Sequence, residues 1–425
     1  MFGEGPFGTA NDATDGHNGN MEIEMLKERS AEAAARDERV LELKARLGTS
    51  ISACIVGGAV RDFALGRVPH EIDLVVEEDA GEVARVCAGS DVTVHERFMT
   101  ASLTLPSGSV DVATAREETY SAPGALPDVL PGTFELDRIR RDFTVNALRI
   151  SLSDLKPVAD PVGWDDLSNG ILRVLHSGSF IDDPTRLWRL ARYSGRLGFD
   201  VEKSTLELAQ DAVRAGAMGT VSPSRIGSEL LRTISGSEPD SAILAAASLG
   251  LLGDGFASEQ LEKDLDSLRS RAIKPVSLPA LRLAGVTWGG ASSLKGMLVD
   301  LGLGDELTRV AVEAERSEQL ASELASAERP SEVDRVCSRW HQSVILLAGI
   351  RLRNERALTW IEAYSRRVLP FTGTDLIAEG IEQGPEVGVA LAAARAAMLD
   401  LDTDDRSVLI DAALSSVRGN VDQGN

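Results

Sequence analysis

The stretch Ile55-Val56-Gly57-Gly58-Ala59-Val60-Arg61-Asp62, followed by Gly66-Arg67 and then Glu71-Ile72-Asp73, decides how this chain is read. An apolar run ends on two glycines, a helix-compatible segment begins, and two carboxylates two residues apart open the next apolar run. Glycine lets the backbone approach a ligand closely, and a helix N-terminus presents free N–H groups to an anion. Arg61 adds a fixed positive charge. On a strand, residues two apart face the same side, so Glu71 and Asp73 point together and repel unless a cation lies between them. Hard oxygen ligands suit magnesium. As a set, these residues can hold a phosphate chain against a metal ion. Singly, the glycines also suit an ordinary strand-to-helix turn, and the carboxylates a solvated sheet face.

Around this stretch the pattern is α+β. Ser52–Val56 and Ile72–Val76 read as strands, and Ala59–Leu65 and Glu78–Ala88 as helices. Val92–Glu96, Ala101–Leu105 and Val110–Ala113 alternate like strands, with Pro106-Ser107-Gly108 as a hairpin turn. This predicts a mixed sheet of four or five strands ending near residue 150. Residues 1–20, rich in Gly, Asn and Asp, read as a disordered tail, and 21–47 as a charged amphipathic helix. Residues 116–135, rich in proline and glycine, read as a long mobile loop. From Asp183 onward the spacing is almost wholly helical. The expected plan is a head over 21–150, a neck over 151–235, a helical body over 236–370 and a helical tail over 371–425.

Composition bounds the partners. The chain of 425 residues is long enough for several domains and is 43% hydrophobic, with no apolar run long enough to span a membrane. Cys54, Cys87 and Cys337 are widely spaced in apolar contexts, as expected of buried thiols in a reducing, cytoplasmic compartment. They form no zinc-ligand spacing with the five histidines. The net charge of −22 taken alone argues against nucleic acid. The charge is unevenly spread, however: Asp183–Arg196 holds four arginines against one acid, so a basic groove inside an acidic shell is open to the chain.

Three further motifs narrow the chemistry. Asp111 opens a strand candidate, and if that strand neighbours Ile72–Val76, three carboxylates converge, as two-metal phosphoryl transfer requires. In Arg140-Arg141-Asp142-Phe143-Thr144-Val145-Asn146, the paired arginines suit triphosphate oxygens through bidentate contacts, or form a surface basic pair before a core element. Asn146 could bond a ribose or cap a turn. In Asp183-Pro184-Thr185-Arg186-Leu187-Trp188-Arg189-Leu190-Ala191-Arg192, proline suits a first helical turn and Asp183 can cap it. Asp183, Arg186, Arg189 and Arg192 recur every three residues. They can present an acceptor and donors to a base edge, or form a solvated face with an i,i+3 ion pair.

In this order and spacing the motifs resemble the class II tRNA nucleotidyltransferase and bacterial poly(A) polymerase family. The likeness runs from Gly57 to Asp73, through Asp111–Tyr120 with Pro123-Gly124-Ala125-Leu126-Pro127, Arg140–Leu148, Asp160–Arg173 and Asp183–Arg192, to Ser222–Leu230, and returns in the tail at Gly373-Thr374-Asp375-Leu376 and Gly384-Pro385-Glu386-Val387-Gly388. It is dense over 50–235 and loose over 236–370. The resemblance implies a small mixed-sheet nucleotidyltransferase head followed by an elongated all-helical neck, body and RNA-binding tail. It implies template-independent addition of CMP and AMP from CTP and ATP to the 3′ end of tRNA, by two-metal nucleotidyl transfer with Mg2+. In that reading Glu71 and Asp73 bind magnesium and Asp111 helps activate the terminal 3′-hydroxyl. Gly58, Arg61 and Arg141 hold the triphosphate. Asp183 and Arg186 imitate a Watson–Crick partner, Arg189 and Arg192 support them, and Arg116 and its loop reshape the pocket between C and A.

Two positions depart from the family pattern. Glu71 stands where aspartate is usual, which lengthens the carboxylate by one methylene and disturbs an octahedral ion. Asp182 stands where glutamate is common. No His-Asp phosphohydrolase motif is present. A poly(A) polymerase, or an enzyme adding CC alone or A alone, would fit the same residues, although the loop over Arg116–Asp137 favours one able to add A. A non-catalytic RNA-binding homologue is the alternative from another class. With 37 arginines and seven lysines the chain is equipped for bidentate phosphate contacts, so salt-sensitive tRNA binding is expected.

Overall fold

The computed structural model describes residues 16–88, 92–253, 256, 258–271, 277–290 and 293–421. The chain divides into two compact units, residues 1–251 and 252–425.

The first unit is built on a six-stranded sheet. Its strands are β1 (Ala53–Val56), β2 (Ile72–Val76), β3 (Val92–His95), β4 (Thr100–Leu105), β5 (Gly108–Thr114) and a late addition, Arg149–Ser151. Two short strands, β6 (Arg116–Thr119) and β7 (Asp128–Pro131), form a separate ribbon, so the late strand is β8. The order is β3-β4-β5-β2-β1-β8, with β2 and β5 parallel and the other pairs antiparallel. The sequence pattern anticipates five of these strands within two residues at their ends. The sixth, three residues long, is too short for a period-2 signal. Ile72, Leu74 and Val76 are fully buried along one side of β2, whereas Asp73 on the other side is half-buried. The helix Ala80–Ala88 packs on β4 and β5. The turn between β4 and β5 is tight: Leu105 pairs with Gly108, leaving Pro106 and Ser107 as its tip.

Two expectations need correction here. Residues 21–47 are not one helix but two, Gly16–Ala34 and Glu38–Leu47. The break falls at Asp37, whose carboxylate accepts from the backbone N–H of Arg39 and Val40 and so starts a new helix instead of continuing the old one. Residues 16–20, assigned to the tail, belong to the first of these helices, and 1–15 lie outside the described residues. The segment 116–135 is also not a structureless loop. It is the β6–β7 ribbon followed by the helix Phe134–Ile139. Its connection is tied down as well: Gly124 N–H reaches the carbonyls of Ile181 and Asp182 at 3.3 Å, and Arg225 Nη1 donates to Gly124 O at 2.8 Å.

After β8 the first unit is helical. The helix Thr185–Leu197 is covered by Pro223–Ile234 and Pro239–Ser248. The second contact is close, since a Cβ on Gly195 would stand 2.5 Å from the backbone nitrogen of Ala242.

The second unit contains helices throughout its described residues. The helical spacing of residues 305–328 and 331–351 predicts one helix each, but both are broken, at Arg316 and between Cys337 and Gln342. Asp334 links three of the elements here, accepting from Arg395 Nε at 2.6 Å, Arg395 Nη2 at 2.7 Å and Trp360 Nε1 at 2.7 Å. Asp264 holds Arg351 at 2.7 Å, and that guanidinium lies 5.1 Å from the Trp288 ring centroid. Cys54, Cys87 and Cys337 are all buried free thiols. No helix among the described residues is long and apolar enough to cross a membrane.

Candidate functional site

Asp73 organises the site, and the sheet register explains why. Val56 on β1 pairs with Asp73 on β2, Asp73 pairs with Asp111 on β5, and Asp111 pairs with Ser102 on β4. These four residues form one lateral row on one side of the sheet. Burial pushes the Asp73 carboxyl up to about 6; the nearby charges of Asp111 and Glu71 add to this, and Arg141 opposes it. Gly57 ends β1 with φ +73°, which favours glycine. A Cβ there would stand 3.2 Å from both Arg141 Nη1 and Asp73 Oδ2. Glycine thus suits this position twice, for its conformation and for the close approach of the Arg141 and Asp73 side chains.

Two cavities of about 400 Å³ each meet at this row. The first is lined by Gly57, Gly58, Asp73, Arg116, Glu118, Tyr120, Arg140, Arg141, Asp142, Asn146, Asp183, Arg186, Arg189, Tyr193 and Glu229, among others. The second is lined by Asp73, Asp111, Ser102, Thr100 and His95. Asp73, Arg116, Arg140 and Arg141 belong to both.

Carboxylates orient the arginines of the first cavity. Asp137 is almost fully buried on the helix Phe134–Ile139. One of its oxygens accepts from Arg140 Nε and Nη2 at 3.0 and 2.6 Å, and the other from Arg141 Nε and Nη2 at 3.1 and 2.8 Å. Burial works to raise its pKa, but the two guanidiniums hold it below the usual carboxylate range. Glu118 on β6 accepts from Arg116 Nε at 3.1 Å, Arg140 Nη1 at 2.9 Å and the Tyr120 hydroxyl at 3.0 Å. Arg116 also donates to the Phe98 carbonyl.

On the helix Thr185–Leu197, Arg189 reaches Asp142 at 2.7 and 2.6 Å and the Tyr193 hydroxyl at 3.2 Å. Asp142 is buried, which would raise its pKa, but Arg189 and the Asn146 amide bring it down to about 2. Arg186, also buried, donates to Ser179 Oγ at 2.7 Å and to the Arg140 carbonyl at 2.6 Å. Asp183 precedes this helix, and its Oδ1 accepts from Thr185 N, Thr185 Oγ1 and Arg225 Nη2 at 3.1, 2.7 and 2.8 Å.

The structure thus brings Gly58, Asp73, Arg116, Arg141, Asp183, Arg186 and Arg189 to one cleft and Asp111 to the cavity beside it. Glu71, Arg61 and Arg192 line neither. Glu71 precedes β2 and its side chain is 64% exposed, because strand alternation does not constrain a residue outside the strand. The three carboxylates therefore do not converge: among the described residues no group of three His, Cys, Asp or Glu side chains is arranged to hold a metal ion. Asp73 and Asp111 alone of the three are adjacent in register. Arg61 is 1% exposed and donates to Asp62 at 3.0 and 2.8 Å and to Asn146 Oδ1, so it braces the glycine turn from within. Arg192 donates to Glu229 at 3.0 Å. Nor is the first cavity a basic groove: its arginines 116, 140, 141, 186 and 189 face Asp73, Glu118, Asp142, Asp183 and Glu229.

Sequence reasoning missed Asp137, Asp142, Glu118 and Tyr193. Asp137 lies three and four residues before Arg140 and Arg141, a helical spacing that could have revealed it. Tyr193 is four residues after Arg189, and the guanidiniums of Arg61, Arg189 and Arg192 lie 5.3, 5.4 and 5.2 Å from its ring centroid. Asp142 and Arg189 are 47 residues apart, and no local signal joins them.

Comparison with known proteins places the chain among related sequences and structures. Residues 53–173 match the family model described as the poly A polymerase head domain. The chain is 31% identical over 358 residues to a CC-adding tRNA nucleotidyltransferase of Deinococcus radiodurans, covering 83% of this chain and 86% of that protein. It is 33% identical over 362 residues to an A-adding tRNA nucleotidyltransferase of Geobacter sulfurreducens, covering 78% of this chain but 41% of that longer protein. Among solved structures, the Thermotoga maritima CCA-adding enzyme complexed with tRNA superposes with a TM-score of 0.70 at 25% identity, covering 92% of this chain and 98% of that one.

Proposed function

This chain belongs to the class II tRNA nucleotidyltransferase and bacterial poly(A) polymerase family, and on that premise we propose that it adds CMP and AMP from CTP and ATP to the 3′ end of tRNA, completing CCA without a nucleic-acid template. The observation that carries the reading is the pair of cavities that meet at Asp73. A reaction between a nucleoside triphosphate and an RNA terminus needs two adjoining sites with the reacting atoms at their junction.

The first cavity suits the triphosphate. Arg140 and Arg141, fixed by Asp137, present guanidinium forks to phosphate oxygens, and the open backbone at Gly57-Gly58 allows close approach. Asp183 and Arg186 offer an acceptor and donors to a base edge. The second cavity suits the RNA terminus, where Asp111 helps withdraw the proton of the 3′-hydroxyl. The 3′-oxygen then forms a bond to the α-phosphorus, the bond from that phosphorus to the bridging oxygen breaks, and pyrophosphate leaves. Magnesium, held by Asp73 and Asp111, would supply charge stabilisation to this displacement. Asp73 lines both cavities, as such a role demands.

Addition of A alone is the second reading, favoured by the Geobacter relative. Purified protein incubated with tRNAs ending before the CCA, after the first C and after the second C, with labelled CTP or ATP, separates these readings. Addition of C to the first two and of A to the third supports complete CCA addition. Labelling of the third alone supports the A-adding reading, long A tails a poly(A) polymerase, and no incorporation with magnesium or manganese overturns the enzyme reading.

A further inference from the structure

The second cavity holds more than the carboxylates. Ser102 on β4 is the register partner of Asp111 on β5. Thr100, two residues earlier on the same strand and hence on the same side, lines the cavity as well, and His95 pairs with Thr100 from β3. The hydroxyls of Ser102 and Thr100 and the Asp111 carboxylate have no side-chain hydrogen-bond partner among the described residues. The contrast with the neighbouring cleft is sharp, since Arg140, Arg141, Asp142, Asp183, Arg186 and Arg189 are all bonded there. These groups face solvent in the cavity with no internal partner to compete, so the row is open to a polyhydroxyl ligand.

We propose that Ser102 takes the 2′-hydroxyl of the acceptor's terminal ribose while Asp111 takes the 3′-hydroxyl, so that this pair selects an RNA end over a DNA end and aligns the attacking oxygen. The inference rests on the function proposed above and extends it to the primer side. Cross-strand partners place their side chains side by side, with Cβ atoms about 4.5–5.5 Å apart, and the two hydroxyls of a ribose are likewise vicinal. The chemical types match: a carboxylate accepts from the hydroxyl that must lose its proton, and a serine hydroxyl can both donate to and accept from the one that stays. The 2′-hydroxyl is the group by which a protein distinguishes RNA from DNA at a given site. Ser102 is a positioning residue here, and Thr100 continues its row toward the preceding nucleotide.

The test uses full-length protein and two acceptor RNAs identical except for a ribose or a 2′-deoxyribose carrying the terminal 3′-hydroxyl, with Ser102→Ala and Ser102→Thr variants. The wild type is expected to prefer the ribose end by about fivefold in KM, the worth of one neutral hydrogen bond. Ser102→Ala should raise KM for the ribose end about fivefold, abolish the preference and leave KM for CTP and ATP unchanged; Ser102→Thr should restore the preference. Retention of the preference in Ser102→Ala, or equal weakening of both ends, overturns the proposal while leaving nucleotide addition intact. If the wild type adds nucleotide to neither RNA, the function proposed above fails separately. Fluorescence anisotropy of the same two RNAs then decides: a ribose preference lost in Ser102→Ala supports the assignment, and its absence or persistence overturns it.

Discussion

The sheet row and the arginine helix solve opposite problems a short distance apart. On β2, β5 and β4, Asp73, Asp111 and Ser102 face open space without hydrogen-bond partners among the described residues, and Asp73 is held well above the usual carboxylate range by burial. On the helix Thr185–Leu197, Arg186, Arg189, Arg192 and Arg196 each donate to a partner within this unit. The acidic side is left available, whereas each arginine of the basic side is already held by an internal partner, although Arg192 Nε is buried without one. An arginine carries five N–H donors, so internal bonds can aim the fork and still leave donors for a ligand. In the function proposed above, reactivity resides in groups the fold leaves unpaired, and selectivity in groups the fold has fixed.

The largest effect should come from neutralising the open side. Asp73→Asn is expected to reduce nucleotide incorporation by about 10³-fold or more while the fold persists. The raised carboxyl adds a stability signature. Between its unfolded value of 3.8 and its folded value of about 6 the native state keeps a proton that the unfolded chain has lost, so wild-type stability falls as pH rises through that window. Asp73→Asn should therefore raise the unfolding free energy at pH 8 by on the order of 1–2 kcal/mol after allowance for solvent screening, seen as a higher melting temperature, and leave it unchanged at pH 3.5. A lower melting temperature at pH 8 would show that Asp73 is structurally bonded, and the comparison would fail on its acidic side.

Breaking the fixed side should cost stability first. Asp142→Ala takes the carboxylate partner from the half-buried Arg189 guanidinium, which keeps only the Tyr193 hydroxyl, and thermal denaturation should register a loss of about 1.5–3 kcal/mol. The Asp142 carboxyl is depressed to about 2, so its contribution is present above pH 3.8 and disappears as pH falls through 2. Asp142→Asn should flatten that acid limb. A variant as stable as wild type would mean that the arginine helix needs no internal partner.

Between these extremes lies Asp183, which is fixed yet faces the cleft. Asp183→Ala should relax the choice between CTP and ATP by about 10–100-fold in relative kcat/KM, the worth of one bidentate base contact. Unchanged selectivity would move base reading elsewhere. The smallest effect is expected at Glu71. Because its side chain is exposed and outside the strand, Glu71→Asp should leave the melting temperature unchanged and alter the magnesium requirement by less than about tenfold. A gain larger than that would show that the longer carboxylate limits the metal site.

Local periodicity carried much of the first unit. The apolar alternation of Ile72–Val76 and the helix signals around Ala59 and Thr185 arise from contacts within a few residues, and those elements appear where they were expected. The ribbon Arg116–Thr119 with Asp128–Pro131 was illegible for the opposite reason. Its proline and glycine content looks like a loop, and its order depends on Arg225, more than ninety residues downstream, bonding the Gly124 carbonyl. Arg61 misled in the same way: a conspicuous charge beside two glycines suggests a ligand contact, but Asn146, far along the chain, draws it into the interior.

The sequence by itself determined which chemical groups this protein has and which of them share a strand or helix face, because those relations follow from the periods of 2.0 and 3.6 residues. It therefore contained the glycine turn, Asp73, the Arg140-Arg141 pair and the helix that follows Asp183. The tertiary structure alone decided which groups meet across strands and between elements. Parallel register set Asp111 beside Asp73 and left Glu71 outside, and long-range burial turned Asp137 and Asp142 into clamps on the arginines. Such pairings depend on register and packing, neither of which any local stretch of residues specifies.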